Sequence, residues 1–247
     1  MHPILFRLGP VTLYSYGFMV ALGFCAASFF LSRRSVDLGL DSARIQSIAL
    51  WALVMGLIGA RAMYVFLNWQ FFRADPFEIL RVHHGGLVFY GGLLAGCLTG
   101  VWLLFKNGLL RWQVMDLMMP AVVLAHAFGR VGCFLNGCCY GKPTDCPWAV
   151  SFPGEGIPRH PTQLYEAAAL LLIFCLLRYL DKKKVRPGTV TFVYGLSYGM
   201  WRFAIEFVRG DNPVGAGGLT TFQWMSGLLI LLSGIMLFFR YRDAPSR

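Results

Sequence analysis

Stretches of about 20 apolar residues follow one another along the chain, and they restrict its fold more than any other feature. A helix of about 20 residues crosses the roughly 30 Å hydrocarbon core of a bilayer. Such stretches lie at roughly 11–32, 45–69, 86–105, 114–134, 162–180, 188–208 and 219–239. The sequence therefore predicts an all-α, polytopic integral membrane protein with about seven transmembrane helices. We expect one transmembrane domain over residues 1–247, with a polar loop at about 135–161.

The composition agrees with a membrane protein and argues against a nucleic-acid partner. Charged residues make up 14% of the chain and hydrophobic residues 57%, whereas soluble domains carry about 25% charged residues. In so hydrophobic a chain, the net charge of +10 is more typical of cytoplasmic loops that follow the positive-inside rule than of nucleic-acid binding. No small-residue cleavage site follows the first apolar run, so we predict no removable signal peptide.

The positions of the basic residues predict the orientation of the chain in the membrane. The first, third and fifth connections and the C-terminal tail hold most of them: Arg33, Arg34, Arg44, Lys106, Arg111, Arg178, Lys182, Lys183, Lys184, Arg186, Arg240, Arg242 and Arg247. Loops rich in Lys and Arg stay in the cytoplasm. We therefore expect a periplasmic N-terminus, a cytoplasmic C-terminus and an outer-face loop at about 135–161.

The polar residues of the predicted spans gather on the outer side. Following the direction of each helix puts one or more polar groups from most spans near that surface: Tyr14, Tyr16, Arg61, His83, His84, Tyr90, His126, Arg130, His160, Glu166, Arg202, Glu206 and Arg209. A charged side chain facing lipid at the bilayer centre costs several kcal/mol, so such residues face protein or a cavity. We expect them to converge at one depth, with His126 as a core histidine rather than a base.

The sixth stretch carries Arg202, Glu206 and Arg209 at spacings of i, i+4 and i+7. This spacing predicts that all three project from one face of a helix. Glu206 would orient one guanidinium and leave other donors for a ligand. Guanidinium groups bind phosphate through paired hydrogen bonds, so the pattern favours the headgroup of an anionic phospholipid. A purely structural ion pair between Arg202 and Glu206 is the alternative.

Two other segments have both a structural and a functional interpretation. Glycines flank Tyr90 and Arg130, where they allow either close approach to a ligand or tight helix packing. The segment from His160 to Glu166 places His160, Gln163 and Glu166 at the start of the fifth span. Pro161 is typical of a first helical turn, so these polar residues either cap the helix or line the site.

Four of the seven cysteines cluster in one Gly-rich stretch, at Cys133, Cys138, Cys139 and Cys146. Vicinal cysteines are poor ligands for tetrahedral zinc compared with C-x2-C pairs, so we predict neither a metal nor any other cofactor. A disulfide from Cys146 to Cys138 or Cys139 would be compatible with an oxidising compartment, and the pairing stays open.

Six segments together resemble those of the bacterial prolipoprotein diacylglyceryl transferase family, over nearly the whole chain. They are Tyr14-Ser-Tyr16-Gly17, Gly59-Ala-Arg61, Gly85-Gly-x3-Tyr90-Gly-Gly92, Gly129-Arg130-x-Gly132-x-Phe134-x-Asn136-Gly137, His160-Pro-Thr-Gln-Leu-Tyr-Glu166 and Arg202-Phe-x2-Glu206-Phe-x-Arg209. The resemblance implies a multi-pass enzyme of the bacterial inner membrane, with its active site toward the periplasm. Its expected partners are phosphatidylglycerol, the signal peptides of prolipoproteins that bear a lipobox cysteine, and membrane lipids.

The resemblance also implies roles for individual residues. Arg130 matches the arginine thought to hold the phosphatidylglycerol headgroup, and Arg202 matches a second essential arginine. We expect Arg130, Arg202, Tyr90 and Glu206 to be catalytic. We expect the following to bind substrate: Tyr16, Arg61, Gly91, Gly92, Asn136, His160, Gln163 and Arg209.

The implied reaction moves the diacylglyceryl group to the cysteine thiol of the prolipoprotein, which forms a thioether and releases glycerol 1-phosphate. A nearby positive field raises the thiolate fraction of a thiol with a free pKa of about 8.5. Two departures from some family members affect the proton acceptor: Tyr90 stands where they have histidine, and Cys133 where they have asparagine. Because tyrosine, with a pKa of about 10, is a poor base, Tyr90, Glu206 and His160 all remain candidates.

Two other classes of protein also place buried charge inside a membrane. A transporter or channel predicts polar residues through both leaflets, whereas the inner halves of these spans are nearly uncharged. A thiol-redox enzyme would use Cys138 and Cys139, but such enzymes normally have a C-x-x-C pair. A transferase therefore accounts for the sequence better than either.

Overall fold

A computed structural model of the chain describes residues 1–8, 11–81, 85–154 and 156–242. Its described residues form eight α-helices: α1 Ser15–Asp37, α2 Ser42–Leu67, α3 Trp69–Ala74, α4 Phe89–Lys106, α5 Trp112–Asn136, α6 Thr162–Lys182, α7 Thr189–Ile205 and α8 Thr221–Arg242. Short 3-10 helices lie at Pro76–Leu80 and Ala216–Gly218. Two small antiparallel pairs join β1 Ile4–Leu8 to β2 Val11–Tyr14, and β3 Val150–Ser151 to β4 Pro158–Arg159.

The predicted all-helical membrane architecture is confirmed. Among the described residues, six helices are long and apolar enough to span a membrane: α1, α2, α4, α5, α6 and α8. The remaining predicted span corresponds to α7, which has 17 residues and is therefore about 26 Å long. The inside–outside orientation stays a prediction.

Several helix ends differ from the predicted span limits by a few residues. The first helix begins at Ser15 rather than near residue 11, because Val11–Tyr14 pairs as a strand with Ile4–Leu8. The sixth ends at Ile205 rather than 208. The predicted polar loop at 135–161 corresponds to the connection between Asn136 and Thr162. Three residues named in the sequence analysis lie outside the described residues: His83, His84 and Arg247.

The chain forms two compact units. The first contains Met1–Phe30 and Met115–Arg247, and the second contains Leu31–Val114. Each unit is built around helices that lie against one another along their length. The single domain over 1–247 stays a prediction.

Glycines bring α2 and α4 into backbone contact in the second unit. A Cβ atom on Gly59 would lie 2.3 Å from the Cβ of Ala95 and 2.6 Å from the carbonyl oxygen of Gly91. A Cβ on Gly91 would meet the carbonyl oxygen of Gly59 at 2.4 Å. Only a hydrogen atom fits at these two positions. Inside lipid there is no hydrophobic driving force between helices, so the van der Waals contacts of this close approach stabilise their association.

The first unit is organised by α5, α6, α7 and α8. Its apolar centre consists of buried side chains from α5, α6 and α7: Val123, Ala127, Leu170, Ile173, Leu177 and Val190. Small residues also let α7 meet α8, since a Cβ on Gly195 would lie 2.3 Å from the Oγ of Ser233. The small residues therefore let α7 and α8 pack closely at this point.

An aspartate on α5 caps the N-terminus of α7. The helix begins after Gly188, which has a left-handed φ of 93° and has no side chain of its own to accept the first amide protons. The carboxylate of Asp116 accepts from the backbone nitrogens of Gly188 at 2.6 Å and Thr191 at 2.8 Å, and from the Thr191 hydroxyl at 2.6 Å. The negative charge also interacts favourably with the helix dipole. This contact fixes where α7 starts, and α7 carries Arg202.

The glycine contact between α2 and α4 leads to a prediction about stability. We expect Gly59→Ala to destabilise the protein by about 1–3 kcal/mol, because the new methyl group forces two backbones apart. The midpoint of thermal unfolding in detergent micelles measures this. Gly227→Ala is the matched control, since Gly227 is also helical but has no atom within 4 Å of an added Cβ. Equal midpoints for the two variants would contradict the packing argument.

Candidate active site

Glu166 lies at the centre of a buried charge network in the first unit. It stands in the second turn of α6, and its side chain is 0% exposed. One carboxylate oxygen lies 2.8 Å from Nη2 of Arg130, and the other lies 3.7 Å from Nη1 of Arg209. The Tyr198 hydroxyl is 3.4 Å from the first of these oxygens. A buried carboxylate needs such partners, because removal from water costs an isolated charge far more than it costs a paired one.

Arg130 is also held by the preceding turn of its own helix. Its Nε donates to Nε2 of His126 at 3.3 Å, so that imidazole nitrogen acts as an acceptor. The His126 ring packs edge-on against Tyr198. Arg130 also makes a side-chain hydrogen bond with Tyr198 of α7. The guanidinium is thus oriented by side chains of α5, α6 and α7.

Arg202 and Glu206 form a second buried pair at the end of α7. Nη1 of Arg202 lies 2.8 Å from a carboxylate oxygen of Glu206, so the predicted neighbour relationship is present. The other oxygen of Glu206 accepts from Nδ2 of Asn212 at 2.7 Å and from the Thr220 hydroxyl at 2.8 Å. The Arg202 guanidinium lies over the Phe222 ring at 4.5 Å. The loop between α7 and α8 therefore holds Glu206 in place.

Arg209 reaches the network by a route that differs from the prediction. The helix ends at Ile205, so Arg209 does not share a helical face with Arg202 and Glu206, and that expectation was wrong. Instead Arg209 forms a β-bridge with Gly141 and makes a two-fold contact with Asp211, at 3.0 and 2.5 Å. Hydrogen bonding and the charge of Asp211 raise the pKa of the Arg209 guanidinium despite its burial.

The connection between α5 and α6 is tied to the N-terminus of α6. The Thr162 hydroxyl donates to the carbonyl oxygen of Cys139 at 2.9 Å, and Nε2 of Gln163 donates to that of Cys138 at 2.6 Å. Gln163 is 1% exposed, and its Oε1 has no hydrogen-bond partner among the described residues. This buried acceptor is compatible with the predicted binding role of Gln163, which stays a prediction.

His160 belongs to a chain of aromatic side chains beside this helix start. Its Nδ1 lies 3.2 Å from the Tyr165 hydroxyl, which accepts from Nε1 of Trp148 at 2.6 Å. The backbone of His160 also pairs with Gly141 and Lys142. His160 is therefore positioned by both the loop and α6.

Three cysteines lie next to the network. The sulfur atoms of Cys133, Cys138 and Cys139 are all within 4.8 Å of one another. Hydrogen bonding with the other two thiols lowers the pKa of the Cys139 thiol, and the positive charges of Arg209 and Arg130 act in the same direction. All seven cysteines lie in the described part of the chain and are free thiols in this structure, so it does not contain the disulfide considered for Cys146.

Two further predicted residues of this unit flank α5. Tyr16 of α1 lies where Gly132 of α5 leaves room, since a Cβ on Gly132 would be 3.3 Å from the Tyr16 ring. Asn136 is the last residue of α5 and is exposed. Their substrate contacts stay predictions.

Arg61 lies in the second unit, where it organises the backbone. Its guanidinium donates to the carbonyl oxygens of Glu78 at 2.5 Å, Ile79 at 3.0 Å and Gly85 at 2.5 Å. It also stacks near the Tyr64 and Phe72 rings. Carbonyl groups at membrane depth need donors, and Arg61 supplies them. Its predicted contact with substrate stays a prediction.

Tyr90, Gly91 and Gly92 also lie in the second unit, in the first turn of α4. The Tyr90 side chain is 38% exposed and packs edge-on against Phe89. Gly91 and Gly92 are helical and approach α2, so the departure from helix expected near Tyr90 occurs earlier, at Gly85 and Gly86 with φ of 86° and 78°. The structure thus shows helix packing at both later glycines, and their substrate role stays a prediction.

Some contributors to the site were missed by the sequence analysis. Tyr198 precedes Arg202 by four residues, so the helical spacing could have identified it. Asp211, Asn212 and Thr220 lie in a loop without periodicity, and no local pattern marks them as partners of Arg209 and Glu206.

Comparisons with known proteins agree over almost the full length. The family described as prolipoprotein diacylglyceryl transferase matches residues 3–239. Three relatives carry the name phosphatidylglycerol–prolipoprotein diacylglyceryl transferase. The one from Clostridium tetani is 36% identical and covers 96% of this chain and 97% of its own. The one from Bordetella parapertussis is 35% identical with coverage of 99% and 97%, and the one from Vibrio campbellii is 37% identical with coverage of 97% and 91%.

The position of Glu166 between two arginines leads to a second prediction. We expect Glu166→Gln to destabilise the protein by about 3 kcal/mol, because the buried guanidinium of Arg130 then lacks its counter-charge, whereas Arg209 keeps Asp211. Asp37→Asn is the control, since Asp37 pairs with Arg34 and is 59% exposed, and such surface pairs contribute under about 1 kcal/mol. Thermal unfolding in detergent micelles measures the destabilisation of both variants. A Glu166→Gln midpoint equal to that of Asp37→Asn would contradict the central role of Glu166.

Proposed function

The chain belongs to the prolipoprotein diacylglyceryl transferase family, and from that premise we propose that it transfers the diacylglyceryl group of phosphatidylglycerol to a prolipoprotein. The acceptor is the thiol of the lipobox cysteine, and the reaction is the first step of bacterial lipoprotein maturation. The observation that carries this proposal is the group of three guanidiniums, from Arg130, Arg202 and Arg209, beside two buried carboxylates at the ends of apolar helices.

Differences in accessibility suggest separate roles for the arginines. The Arg130 side chain is 17% exposed, whereas those of Arg202 and Arg209 are 8% and 6% exposed. We therefore assign the direct contact with the lipid phosphate to Arg130, and the buried Arg202 and Arg209 strengthen the positive field around it. Such a field acts more strongly in a water-excluded site than in bulk water.

The reaction follows from this charge arrangement. The thiolate sulfur of the acceptor attacks the glycerol carbon that carries the phosphate ester. The new carbon–sulfur bond forms as the carbon–oxygen bond breaks, and glycerol 1-phosphate leaves with the electron pair. Positive charge at Arg130 stabilises the developing negative charge on that leaving group.

The proton acceptor comes from a short set of candidates. The candidates from the sequence are Tyr90, Glu206 and His160. Arg202, Asn212 and Thr220 all contact the Glu206 carboxylate, so both of its oxygens are already engaged within the protein. His160 lies in the same unit as Arg130 and is therefore the better candidate, and the role of Tyr90 stays a prediction.

The multi-pass helices place the protein in a membrane, and we assign it to the bacterial inner membrane with the site facing the periplasm. Arg130 lies near the end of α5, Glu166 near the start of α6 and Arg202 near the end of α7. The basic connection after Lys182 joins the other ends of α6 and α7. Since that connection belongs in the cytoplasm, the charge network belongs on the outer side.

The orientation can be tested with protease sites inserted into the full-length chain. We expect a site after Gly154 to be cut by protease added outside intact spheroplasts, and a site after Lys184 to be cut only after lysis. Immunoblotting of the fragments detects cleavage at each of the two sites. Cleavage after Lys184 in intact spheroplasts would reverse the proposed orientation.

The role of Arg130 leads to a direct test of activity. We expect Arg130→Gln to lower transfer by about 100-fold or more, because the leaving phosphate loses its counter-charge. Transfer from phosphatidylglycerol vesicles to a lipobox peptide, followed by mass spectrometry, measures this with purified enzyme. Arg44→Gln is the control, since Arg44 is exposed and pairs only weakly with Asp41 at 3.5 Å. Wild-type transfer by a folded Arg130→Gln variant would refute the proposal.

A further inference from the structure

The three clustered thiols form an arrangement that their spacing in the sequence did not suggest. Cys133 lies in the last turn of α5, and Cys138 and Cys139 follow directly after the helix. The three sulfur atoms lie within 4.8 Å of one another, and those of Cys138 and Cys139 are 3.7 Å apart. In the described part of the chain, this is the one group of metal-ligand side chains that comes so close together.

The backbone holds the two vicinal cysteines in this position. Cys139 has a left-handed φ of 64°, a conformation that is unfavourable for a non-glycine residue. The amide of Cys138 donates to the carbonyl oxygen of Cys133 at 3.1 Å. Gln163 and Thr162 of α6 bind the carbonyl oxygens of Cys138 and Cys139. Neighbouring structure therefore fixes an unfavourable conformation that gathers the three sulfurs.

The separations suit a shared metal ion. Thiolate sulfurs bind zinc at about 2.3 Å, which places two ligands of a tetrahedral site about 3.8 Å apart. The sulfur atoms of Cys138 and Cys139 are 3.7 Å apart, which is close to this distance. Soft thiolate ligands select zinc and copper(I) over harder ions such as magnesium. Although Cys138 and Cys139 are adjacent in the sequence, the turn between them therefore allows both sulfurs to bind one ion.

The surrounding charges favour ionised sulfurs. Arg130 and Arg209 both interact electrostatically with Cys139, and one zinc ion bound to three thiolates carries a net charge of −1. We propose that Cys133, Cys138 and Cys139 form a binding site for one thiophilic metal ion, either zinc(II) or copper(I). Three protein ligands leave a fourth position open on zinc, as in catalytic zinc centres.

Metal titration of the purified, reduced, full-length protein in detergent tests the site. We expect one metal ion per chain, measured by competition with a chromophoric chelator in separate titrations with zinc(II) and with copper(I). The stronger competitor identifies the metal. A combined Cys133→Ser, Cys138→Ser and Cys139→Ser variant should lose this binding. The matched control removes three other cysteines, from Cys25, Cys97 and Cys175, and should keep it.

Protection from alkylation tests the same site without any substitution. Bound metal should slow iodoacetamide labelling of Cys133, Cys138 and Cys139 by about tenfold or more while Cys146 labels at an unchanged rate, as read by peptide mass spectrometry. The proposal is overturned if neither metal binds the wild-type protein, if the cluster variant binds as well as the control, or if two of the three cysteines are joined by a disulfide instead. Because neither measurement uses lipid or peptide, failure here leaves the transferase proposal intact.

Discussion

The paired burial of charge around Glu166 is the interaction on which the rest of the first unit depends. Three helices meet there through Arg130, Glu166 and Tyr198, and Arg209 joins from the loop beyond α7. Charges cannot remain unpaired in so apolar a molecule, so the helices must adopt positions in which every one of these groups finds a partner. The proposed chemistry follows from the same constraint. The charges of the network compensate one another, and one guanidinium can still bind an anionic lipid.

Buried backbone amide and carbonyl groups need partners, as the charged side chains do. Asp116 caps the amides at the start of α7, and Arg61 binds carbonyl oxygens of the segment that precedes α4. In the second unit, Gly59 and Gly91 remove side-chain volume so that α2 and α4 can touch. Irregular backbone is tolerated at membrane depth when protein satisfies it. Several of the residues that appear functional in the sequence are thus also used to build the fold.

Arg61, Gly91 and Gly92 illustrate why one sequence pattern is compatible with either packing or binding. A glycine that permits close approach to a ligand looks the same in the sequence as one that permits close approach to a helix. An arginine that binds phosphate looks the same as one that binds carbonyl oxygens. Conversely, Asp211, Asn212 and Thr220 had no recognisable pattern, and the turn at Cys139 made a sulfur cluster out of an unpromising spacing.

The sequence by itself determined the membrane architecture, the number and approximate limits of the apolar stretches, and the family. These properties depend on runs of apolar residues and on local motifs, which are one-dimensional. Only the tertiary structure decided that α7 ends at Ile205, that Arg209 reaches Glu166 from a β-bridge, and that three thiols share one small volume. These contacts join residues that are distant along the chain or separated by a turn, and their free energy depends on geometry that no local spacing specifies.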